Sequence, residues 1–421
     1  MAAALDAVRR SLPEDDDQLV VTVREIIRQV RERGDDALLE LGRRFDAQGL
    51  GSIEVSQGEW DAGCAEVPMD VRNALDRAHA SIVAFHEPQR RSTWMTMADG
   101  RVLGQMLRPL DRVGVYVPGG RAEYPSSVLM SAAPASVAGV ADIRLCTPAR
   151  RDGTLPPTVL YAARIAGVRA VYKVGGAQAV AAMAYGTMTI PHVDKVVGPG
   201  NAYVCAAKKL LWGVTDMDML AGPSEVCVVA DGSADPRYVA ADLLSQAEHD
   251  PDCAAYLITI SEAMADAAAS ELDRQMAALA RRETLRSALD AHGAIIVARD
   301  LDEALQVANA CAPEHLALMV SDPMGALSMV RHAGAVILGH MTPQTVGDYM
   351  AGPSHVLPTG GTARFWSPLN VDTFMKKTSF IGYDAAALGR AADDLVRLAD
   401  SEGFGAHAAA VTERVASGAG G

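Results

Sequence analysis

The chain reads VGVYVPGGRAEYPSSV over residues 113–128, and this stretch decides the fold. A short β-branched run leads into two adjacent glycines and then into a segment long enough for a helix. Strand, glycine turn and helix in this order are typical of a parallel α/β sheet. The order recurs downstream in two series of predicted strands. The first series covers 113–117, 142–146, 170–174 and 195–197, and the second covers 226–230, 254–259, 294–297, 316–320 and 335–338.

The segments on either side of this pattern differ from it. Apolar residues recur at three- and four-residue steps over 20–30, so the first hundred residues are predicted to be helical. Residues 346–365 are rich in Gly, Pro and Thr and predict a loop, and residues 371–416 predict short helices. The predicted fold is therefore α/β, with two Rossmann-like parallel-sheet domains, a helical N-terminal arm and a small helical C-terminal domain.

Composition narrows the class of protein. A length of 421 residues, at roughly 150 per domain, indicates two or three domains. The net charge of −14, from 38 basic and 52 acidic residues, argues against a nucleic-acid scaffold. Six dispersed cysteines without a CxxC motif indicate reduced thiols and a cytoplasmic location. We expect neither a signal peptide nor a membrane span.

Three glycine turns follow predicted strands of the first series, at 117–120, 174–178 and 197–201. Ligands of open parallel sheets bind at the carboxyl ends of the strands, so these turns are expected to meet at one edge. Glycines let backbone amides approach a phosphate, and Gln178 and Asn201 add amide hydrogen bonds. Together they predict a nucleotide or dinucleotide site. Taken singly, each turn is equally consistent with an ordinary strand–helix connection.

Gln246 and His249 are three residues apart, near the end of a predicted helix that Pro251 stops. This spacing places both side chains on one helix face, as a metal site requires, although glutamine is an unusual zinc ligand. The alternative is a histidine that only caps the helix C-terminus, where the helix dipole favours it.

Three further positions carry candidate chemistry. Glu314 and His315 are adjacent where a helix ends and a strand begins, and they could act as an acid and base pair. Asp348 is a candidate oxygen ligand in the Gly-rich segment that follows a strand. His407 lies on a late helix, where by itself it would be interpreted as a surface residue.

Taken together and in order, these segments closely resemble the histidinol dehydrogenase family, from about residue 20 to about residue 412. Five separated motifs in the correct order carry the resemblance. They are AGPSE at 221–225, SQAEH at 245–249, APEH at 312–315, GDY at 347–349 with HVLP at 355–358, and Glu402 with His407.

The resemblance implies oxidation of L-histidinol to L-histidine with two NAD⁺, through bound L-histidinaldehyde, as the last step of histidine biosynthesis. It implies one zinc ion per subunit. The implied metal ligands are Gln246, His249, Asp348 and His407, and the implied proton-transfer pair is Glu314 and His315. The implied substrate contacts are Ser224, Gln246, His249, His315, Asp348, Glu402 and His407, and those to NAD⁺ are Tyr116, Gln178 and Asn201.

The resemblance also implies a homodimer in which the C-terminal segment reaches the partner subunit, with neither nucleic acid nor membrane as a partner. His407 and Glu402 would then complete the partner's site. The predicted domains are an N-terminal helical arm (1–30), a discontinuous metal and substrate domain (31–111 and 225–366), an NAD-binding domain (112–224) and the C-terminal helical segment (367–421).

Three positions depart from the family's usual residues. Ser131 stands where asparagine is usual, Thr215 opens an atypical stretch, and Trp366 replaces a smaller residue. These departures leave open a paralogous zinc and NAD dehydrogenase that acts on another small polar alcohol. Glu402 favours a cationic substrate over a sulfonate. A zinc hydrolase is the other alternative, but hydrolysis has no use for three dinucleotide turns.

Overall fold

The structure is a computed structural model that describes residues 17–120 and 122–418. Residues 1–16 of the predicted arm and the end of the chain beyond 418 lie outside the described residues. The chain divides into two compact units. The first extends to Gln89 and then from Leu110 to Phe374, and it contains both parallel sheets. The second comprises Arg90–Pro109 and the chain from Met375 onward.

The described elements alternate between strand and helix through the middle of the chain. The strands are β1 (Trp94–Ala98), β2 (Arg101–Pro109), β3 (Arg112–Tyr116), β4 (Asp142–Thr147), β5 (Ala170–Lys173), β6 (Lys195–Val197), β7 (Asp216–Met217), β8 (Glu225–Ala230), β9 (Ala254–Thr259), β10 (Gly293–Val297), β11 (His315–Met319), β12 (Ala335–Leu338) and β13 (Met375–Tyr383). The α-helices are α1 (Asp17–Arg33), α2 (Asp35–Phe45), α3 (Gln57–Glu66), α4 (Met69–His86), α5 (Pro125–Ala138), α6 (Pro157–Ile165), α7 (Gly176–Tyr185), α8 (Ala202–Leu211), α9 (Pro236–Ala247), α10 (Glu262–Met276), α11 (Arg282–His292), α12 (Leu301–Cys311), α13 (Pro323–Leu327), α14 (Gln344–Tyr349), α15 (Ala385–Ser401) and α16 (Gly405–Gly418).

Two five-stranded parallel sheets confirm the predicted fold class. The first has the strand order β5-β4-β3-β6-β7 and the second has the order β10-β9-β8-β11-β12. Each sheet starts at its central strand, adds strands on one side, and then crosses to the other side. This reversal creates a switch point beside β3 and β6, and another beside β8 and β11. The predicted strands match β3–β6 and β8–β12 to within one residue at either end.

Burial explains why the strand runs are apolar throughout. Strands β8, β9 and β11 are buried at every position, as expected for parallel strands covered on both faces. The helices that cover the first sheet are rich in alanine, which lets them pack close to it. Val23 of α1 and Leu38 of α2 belong to the same core as Val180 of α7. The described part of the predicted arm is therefore helical and packs with the first sheet.

The second unit contains an element that the sequence patterns did not predict. Strands β1, β2 and β13 form an antiparallel sheet in the order β1-β2-β13. The prediction of helix was therefore wrong over Met375–Tyr383, and the helical interpretation of the first hundred residues was wrong over Trp94–Ala98. Strand β1 is exposed at all five positions, so it lacks the alternating burial that marks a strand. Helices α15 and α16 confirm the helical C-terminal segment.

The predicted loop over 346–365 is partly helical. Helix α14 begins after Pro343 and includes Val346 and Asp348, and a 3₁₀ turn covers Thr362–Arg364. Glycine and β-branched residues are weak helix formers, but α14 packs against α9. Tertiary contact has therefore overridden local propensity in this segment.

Two remaining features of the described residues are the apolar character of the helices and the pairing of the cysteines. None of the helices in the described residues combines the length and apolar character that a membrane crossing needs. The six cysteines all lie within the described residues and form no disulfide, and every one except Cys205 is buried.

Candidate active site

Glu314 and His315 lie at the amino end of β11, just after α12 ends at Cys311. Ala312, which lies between α12 and β11, takes a left-handed backbone conformation that turns the chain from helix to strand. Both side chains are buried, with 6% and 7% of their surface exposed. Glu314 Oε2 accepts the backbone N–H of Glu225 at 3.0 Å and lies 3.9 Å from His315 Nδ1. The predicted pair is thus together and shielded from water.

This location differs from the general expectation for a parallel sheet. His315 pairs with Val226 at the start of β8 and with Ala335 at the start of β12. The pair therefore occupies the amino edge of the second sheet. The glycine turns of the first sheet do follow strands, whereas Glu314 and His315 lie where a strand begins.

Burial and nearby charges shift the pKa values of Glu314 and His315. Burial raises the pKa of Glu314, and the nearby imidazole and hydrogen bonds offset this only in part. Burial by itself lowers the pKa of His315, but the carboxylates of Glu314 and Asp348 more than offset it, so that pKa is raised. Shifted acid and base pairs of this kind are characteristic of proton-transfer sites. The arrangement suits movement of a proton between a ligand and buried side chains.

Gln246 joins this pair through Gln344, and Asp348 joins it directly at His315. The Gln344 side-chain nitrogen donates to Gln246 Oε1 at 2.8 Å and lies 3.4 Å from His315 Nδ1. His315 Nε2 in turn lies 3.7 Å from Asp348 Oδ1. The four side chains form one polar chain. The sequence patterns missed Gln344, although it precedes Asp348 by four residues and therefore shares its helix face.

His249 lies beyond the helix on which it was predicted. Helix α9 ends at Ala247, so Gln246 and His249 do not share a helix face. His249 Nδ1 lies 3.3 Å from the Gln246 carbonyl oxygen, which is the helix-capping contact of the alternative interpretation. This contact also leaves Nε2 as the nitrogen for a ligand, because a hydrogen bond at Nδ1 selects the tautomer. The capping and ligand roles are therefore compatible.

A cavity of about 600 Å³ opens beside His249. Helices α4 and α5 contribute apolar lining residues that include Leu75 and Leu129, and Glu248 and Tyr349 also line the cavity. Tyr124, in the turn that follows β3, also lines the cavity. Its volume lies within the range of roughly 300–1,000 Å³ that is usual for small-molecule sites. The connection between β3 and α5 and the predicted metal ligand His249 thus line one cavity.

His355 connects the two halves of the site. Its Nε2 lies 3.1 Å from Ser127 Oγ on α5, and its Nδ1 lies 3.0 Å from the Asp348 carbonyl oxygen. Burial lowers its pKa, which favours a neutral imidazole. The HVLP motif contained this histidine, but only the tertiary structure assigns its contacts.

The residues predicted to contact NAD⁺ lie at the carboxyl edge of the first sheet. Tyr116 is buried, its hydroxyl accepts the backbone N–H of Gly176 at 3.1 Å, and burial raises its pKa to about 12. Gln178 is buried on α7, two residues after Gly176. Asn201 caps α8 by accepting the N–H of Val204 at 3.2 Å. Tyr116 and Asn201 thus also have structural roles, and their contacts with NAD⁺ stay predictions.

Asp46 lies at the same sheet edge, and its buried carboxylate is expected to make the stability of the fold depend on pH. Its carboxylate accepts a backbone hydrogen bond from Gly175, burial raises its pKa to about 6, and Oδ2 has no hydrogen-bond partner in the described residues. A carboxylate with a raised pKa destabilises the fold progressively as pH rises between its unfolded and folded values. Asp46→Asn should therefore be more stable than the parent at pH 8, by about 1–2 kcal/mol after allowance for solvent screening.

Thermal unfolding at pH 5 and pH 8 checks this expectation. The gain should shrink at pH 5, where the parent carboxyl is already largely protonated. The exposed Asp290→Asn on α11 is the control, and it should show no such pH dependence. An equal gain at both pH values would contradict the assigned cause.

The remaining substrate candidates divide between the units. Ser224 precedes β8 and hydrogen bonds to the Glu314 side chain, so the structure brings it to the pair. Glu402 and His407 belong to the second unit, where Glu402 caps α15 and His407 lies on α16. Both are exposed, and the His407 ring lies 5.1 Å from that of Phe404.

Two of the three unusual positions make side-chain contacts, and the third is buried. Ser131 is fully buried in α5, Thr215 donates its hydroxyl hydrogen to the Val193 carbonyl at 2.7 Å, and Trp366 stacks on Trp212 with ring centroids 6.1 Å apart. The buried Ser131 hydroxyl has no hydrogen-bond partner among the described residues, so contacts are established for Thr215 and Trp366 only.

The first unit contains three of the four predicted metal ligands. Within residues 17–120 and 122–418, no three His, Cys, Asp or Glu side chains are grouped to hold a metal ion. That outcome follows from the predicted ligand set, since Gln246 is an amide and His407 belongs to the second unit. An amide oxygen, an imidazole and a carboxylate are donors that zinc accepts. Gln344 Oε1, also buried, has no hydrogen-bond partner in this part of the chain. The residues of the first unit thus fit an incomplete zinc site.

Comparison with known proteins gives one consistent result. The family model described as histidinol dehydrogenase matches residues 9–415. Histidinol dehydrogenase of Heliobacterium mobile is 53% identical over 404 residues, which cover 95% of each chain. That of Moorella thermoacetica is also 53% identical, over 93% of each chain. The crystal structure of histidinol dehydrogenase from Elizabethkingia anophelis superposes with a TM-score of 0.94 at 35% identity, covering 99% of this chain and 96% of that one. The chain therefore belongs to the histidinol dehydrogenase family.

Proposed function

We propose that this chain oxidises L-histidinol to L-histidine through L-histidinaldehyde, with two NAD⁺ as hydride acceptors and one zinc ion per subunit. Membership of the family makes the chain a dehydrogenase and implies a place in histidine biosynthesis. The observation that carries the finer proposal is the buried Glu314 and His315 pair, which Gln344 joins to Gln246 and which contacts Asp348 directly through His315.

His315 is the base of the first oxidation in this proposal. It accepts the hydroxyl proton of the alcohol as hydride leaves the neighbouring carbon. Its buried position between two carboxylates stabilises the protonated imidazole that results. Glu314 then accepts a proton from the water that adds to the aldehyde, because burial raises its pKa and makes its carboxylate a stronger base. Enclosure within the site keeps the reactive aldehyde from escaping.

The ligands of the metal are proposed to be Gln246, His249 and Asp348, together with His407. Zinc, when bound, supplies a Lewis acid that holds and orients the nitrogen donors of the substrate. Ser224, Glu402 and His315 contact the same substrate, and the Glu402 carboxylate suits its cationic amine. NAD⁺ is proposed to bind along Tyr116, Gln178 and Asn201, where three glycine turns meet one sheet edge.

A homodimer with exchanged C-terminal segments is part of the proposal. Helix α15 buries Ala387 among its 17 residues and leaves Leu395 and Leu398 exposed. Phe404, just before α16, is also exposed. Apolar side chains on such a surface are typical of an interface. Exchange of an element between identical subunits is a common route to a dimer.

A cytoplasmic location is also part of the proposal. The cysteines form no disulfide bonds and are mostly buried, which supports a reducing compartment.

NADH stoichiometry tests the proposed function directly. Limiting L-histidinol should give about two NADH per molecule, because an alcohol that becomes a carboxylate loses four electrons as two hydrides. Absorbance of NADH measures the yield, and EDTA should abolish it until zinc is restored. Turnover of another alcohol but not of histidinol would favour the paralogue. No NADH with either substrate would reject the dehydrogenase chemistry.

A further inference from the structure

Helices α9 and α14 each present two polar side chains one helical turn apart. Asp242 and Gln246 are four residues apart on α9, and Gln344 and Asp348 are four residues apart on α14. Side chains at this spacing share a helix face. The two helices pack against each other, so the relative position of Gln246 and Asp348 depends on how their faces meet.

Gln344 is the residue at which these faces meet. It is 2% exposed, and its backbone N–H donates to the Asp242 carboxylate. Its side-chain nitrogen donates to Gln246 Oε1 at 2.8 Å and lies 3.4 Å from His315 Nδ1. One residue therefore contacts both polar positions of α9 and also the histidine at the start of β11.

The side-chain oxygen of Gln344 differs from its nitrogen in its hydrogen bonding. Gln344 Oε1 is buried and has no hydrogen-bond partner among the described residues. An unsatisfied buried polar atom destabilises a fold, and an apolar side chain of similar size would avoid that cost. The amide is thus poorly explained as a packing residue. Its N–H group is directed at Gln246 and His315, which are both predicted site residues.

We propose that Gln344 is a positioning residue that holds the Gln246 amide oxygen and the Asp348 carboxylate in the register that a shared zinc ion requires. The Gln246 amide is held from its other side as well, since its nitrogen lies 3.9 Å from Cys253 Sγ. These two contacts select the amide orientation that presents oxygen, which explains how an unusual zinc ligand becomes usable. The inference rests on the proposed function, because it needs zinc at this site.

Zinc affinity of Gln344→Met in the full-length protein tests the inference. Methionine keeps the length of the side chain but cannot donate a hydrogen bond. Loss of an outer-shell partner typically weakens metal binding by about 10–100-fold, so the Kd for zinc should rise by that factor. Competition with a chromophoric chelator measures it without any turnover. The KM for NAD⁺ should stay unchanged, because the glycine turns lie on the other sheet.

Controls separate positioning from folding. Thr259→Val alters a buried polar residue at the end of β9 and should leave zinc affinity unchanged. Gln246→Met removes the ligand itself and should weaken zinc at least as much as Gln344→Met. The melting temperature of the zinc-free protein should be similar in all of these. If Gln344→Met folds poorly, Gln344→Leu is the second variant, with the same expected rise in Kd.

The outcomes distinguish the inference from its premise. If the parent binds zinc and both Gln344 variants bind it with the same Kd, the positioning role is rejected while the proposed function stands. If the parent binds no zinc, or Gln246→Met does not weaken binding, the proposed metal site is wrong, and the inference is rejected with it. A selective rise in Kd in the Gln344 variants supports both.

Discussion

His315→Asn is expected to lower kcat for histidinol oxidation by about 10²–10⁴-fold, the usual contribution of a positioned general base. Asparagine can keep a polar contact near the Gln344 amide but cannot take up a proton. The loss should be large because His315 is buried, so bulk water and buffer bases have restricted access to the reacting hydroxyl. Its contacts with the carboxylates of Glu314 and Asp348, which stabilise its protonated form, also disappear.

Single-turnover formation of NADH measures this effect on the first hydride transfer alone. The KM for NAD⁺ should change little, because its predicted contacts are on the other sheet. The matched control is His332→Asn, a half-buried histidine of the same unit that lies in the connection before β12. A His315→Asn protein that folds normally and keeps kcat within twofold of the parent would remove His315 from the chemistry.

Co-expression of Gln246→Ala and His407→Ala chains is expected to restore activity that neither variant has alone. If each site takes Gln246 from one chain and His407 from the other, a mixed dimer contains one intact site and one doubly defective site. Random pairing makes about half of the dimers mixed, so about a quarter of all sites should be intact. Each single variant should lose nearly all zinc binding, because one of four ligands is missing.

Activity per subunit and zinc content of the co-expressed material measure the recovery. Two differently tagged chains allow the mixed dimer to be purified, and its activity should approach half of the parent value. The control pairs Gln246→Ala with Asp348→Ala, because both defects fall in the first unit and no exchange can produce an intact site. Absence of recovery in the first pair, with mixed dimers present, would show that His407 does not act across subunits.

The sequence predicted the two parallel sheets closely because their signals are local. A β-branched run, a glycine turn and an alanine-rich helix lie next to one another along the chain. The predicted ends of β3 and β6 agree with the structure to within one residue. The glycine turns at one sheet edge follow from the same reasoning, since parallel strands align their carboxyl ends.

Prediction failed where structure depends on distant partners. Strand β13 pairs with β2 through nine positions, but the two strands are far apart along the chain. Their exposed faces leave little alternation of burial to reveal them. Helix α14 forms from weak helix formers because it packs on α9, and this contact brought Asp348 onto a helix. His249 likewise lies outside α9, which ends two residues earlier than the spacing argument required.

By itself, the sequence determined the class of fold, the family and the identity of the chemical groups, because these are carried by composition, periodicity and short motifs. Only the tertiary structure decided that Glu314 and His315 lie buried at the amino edge of the second sheet, that Gln344 joins them to Gln246, and that Asp348 lies against His315. Hydrogen bonds and burial depend on which distant side chains become neighbours. That information resides in the packing of helices on sheets, and no local stretch of sequence contains it.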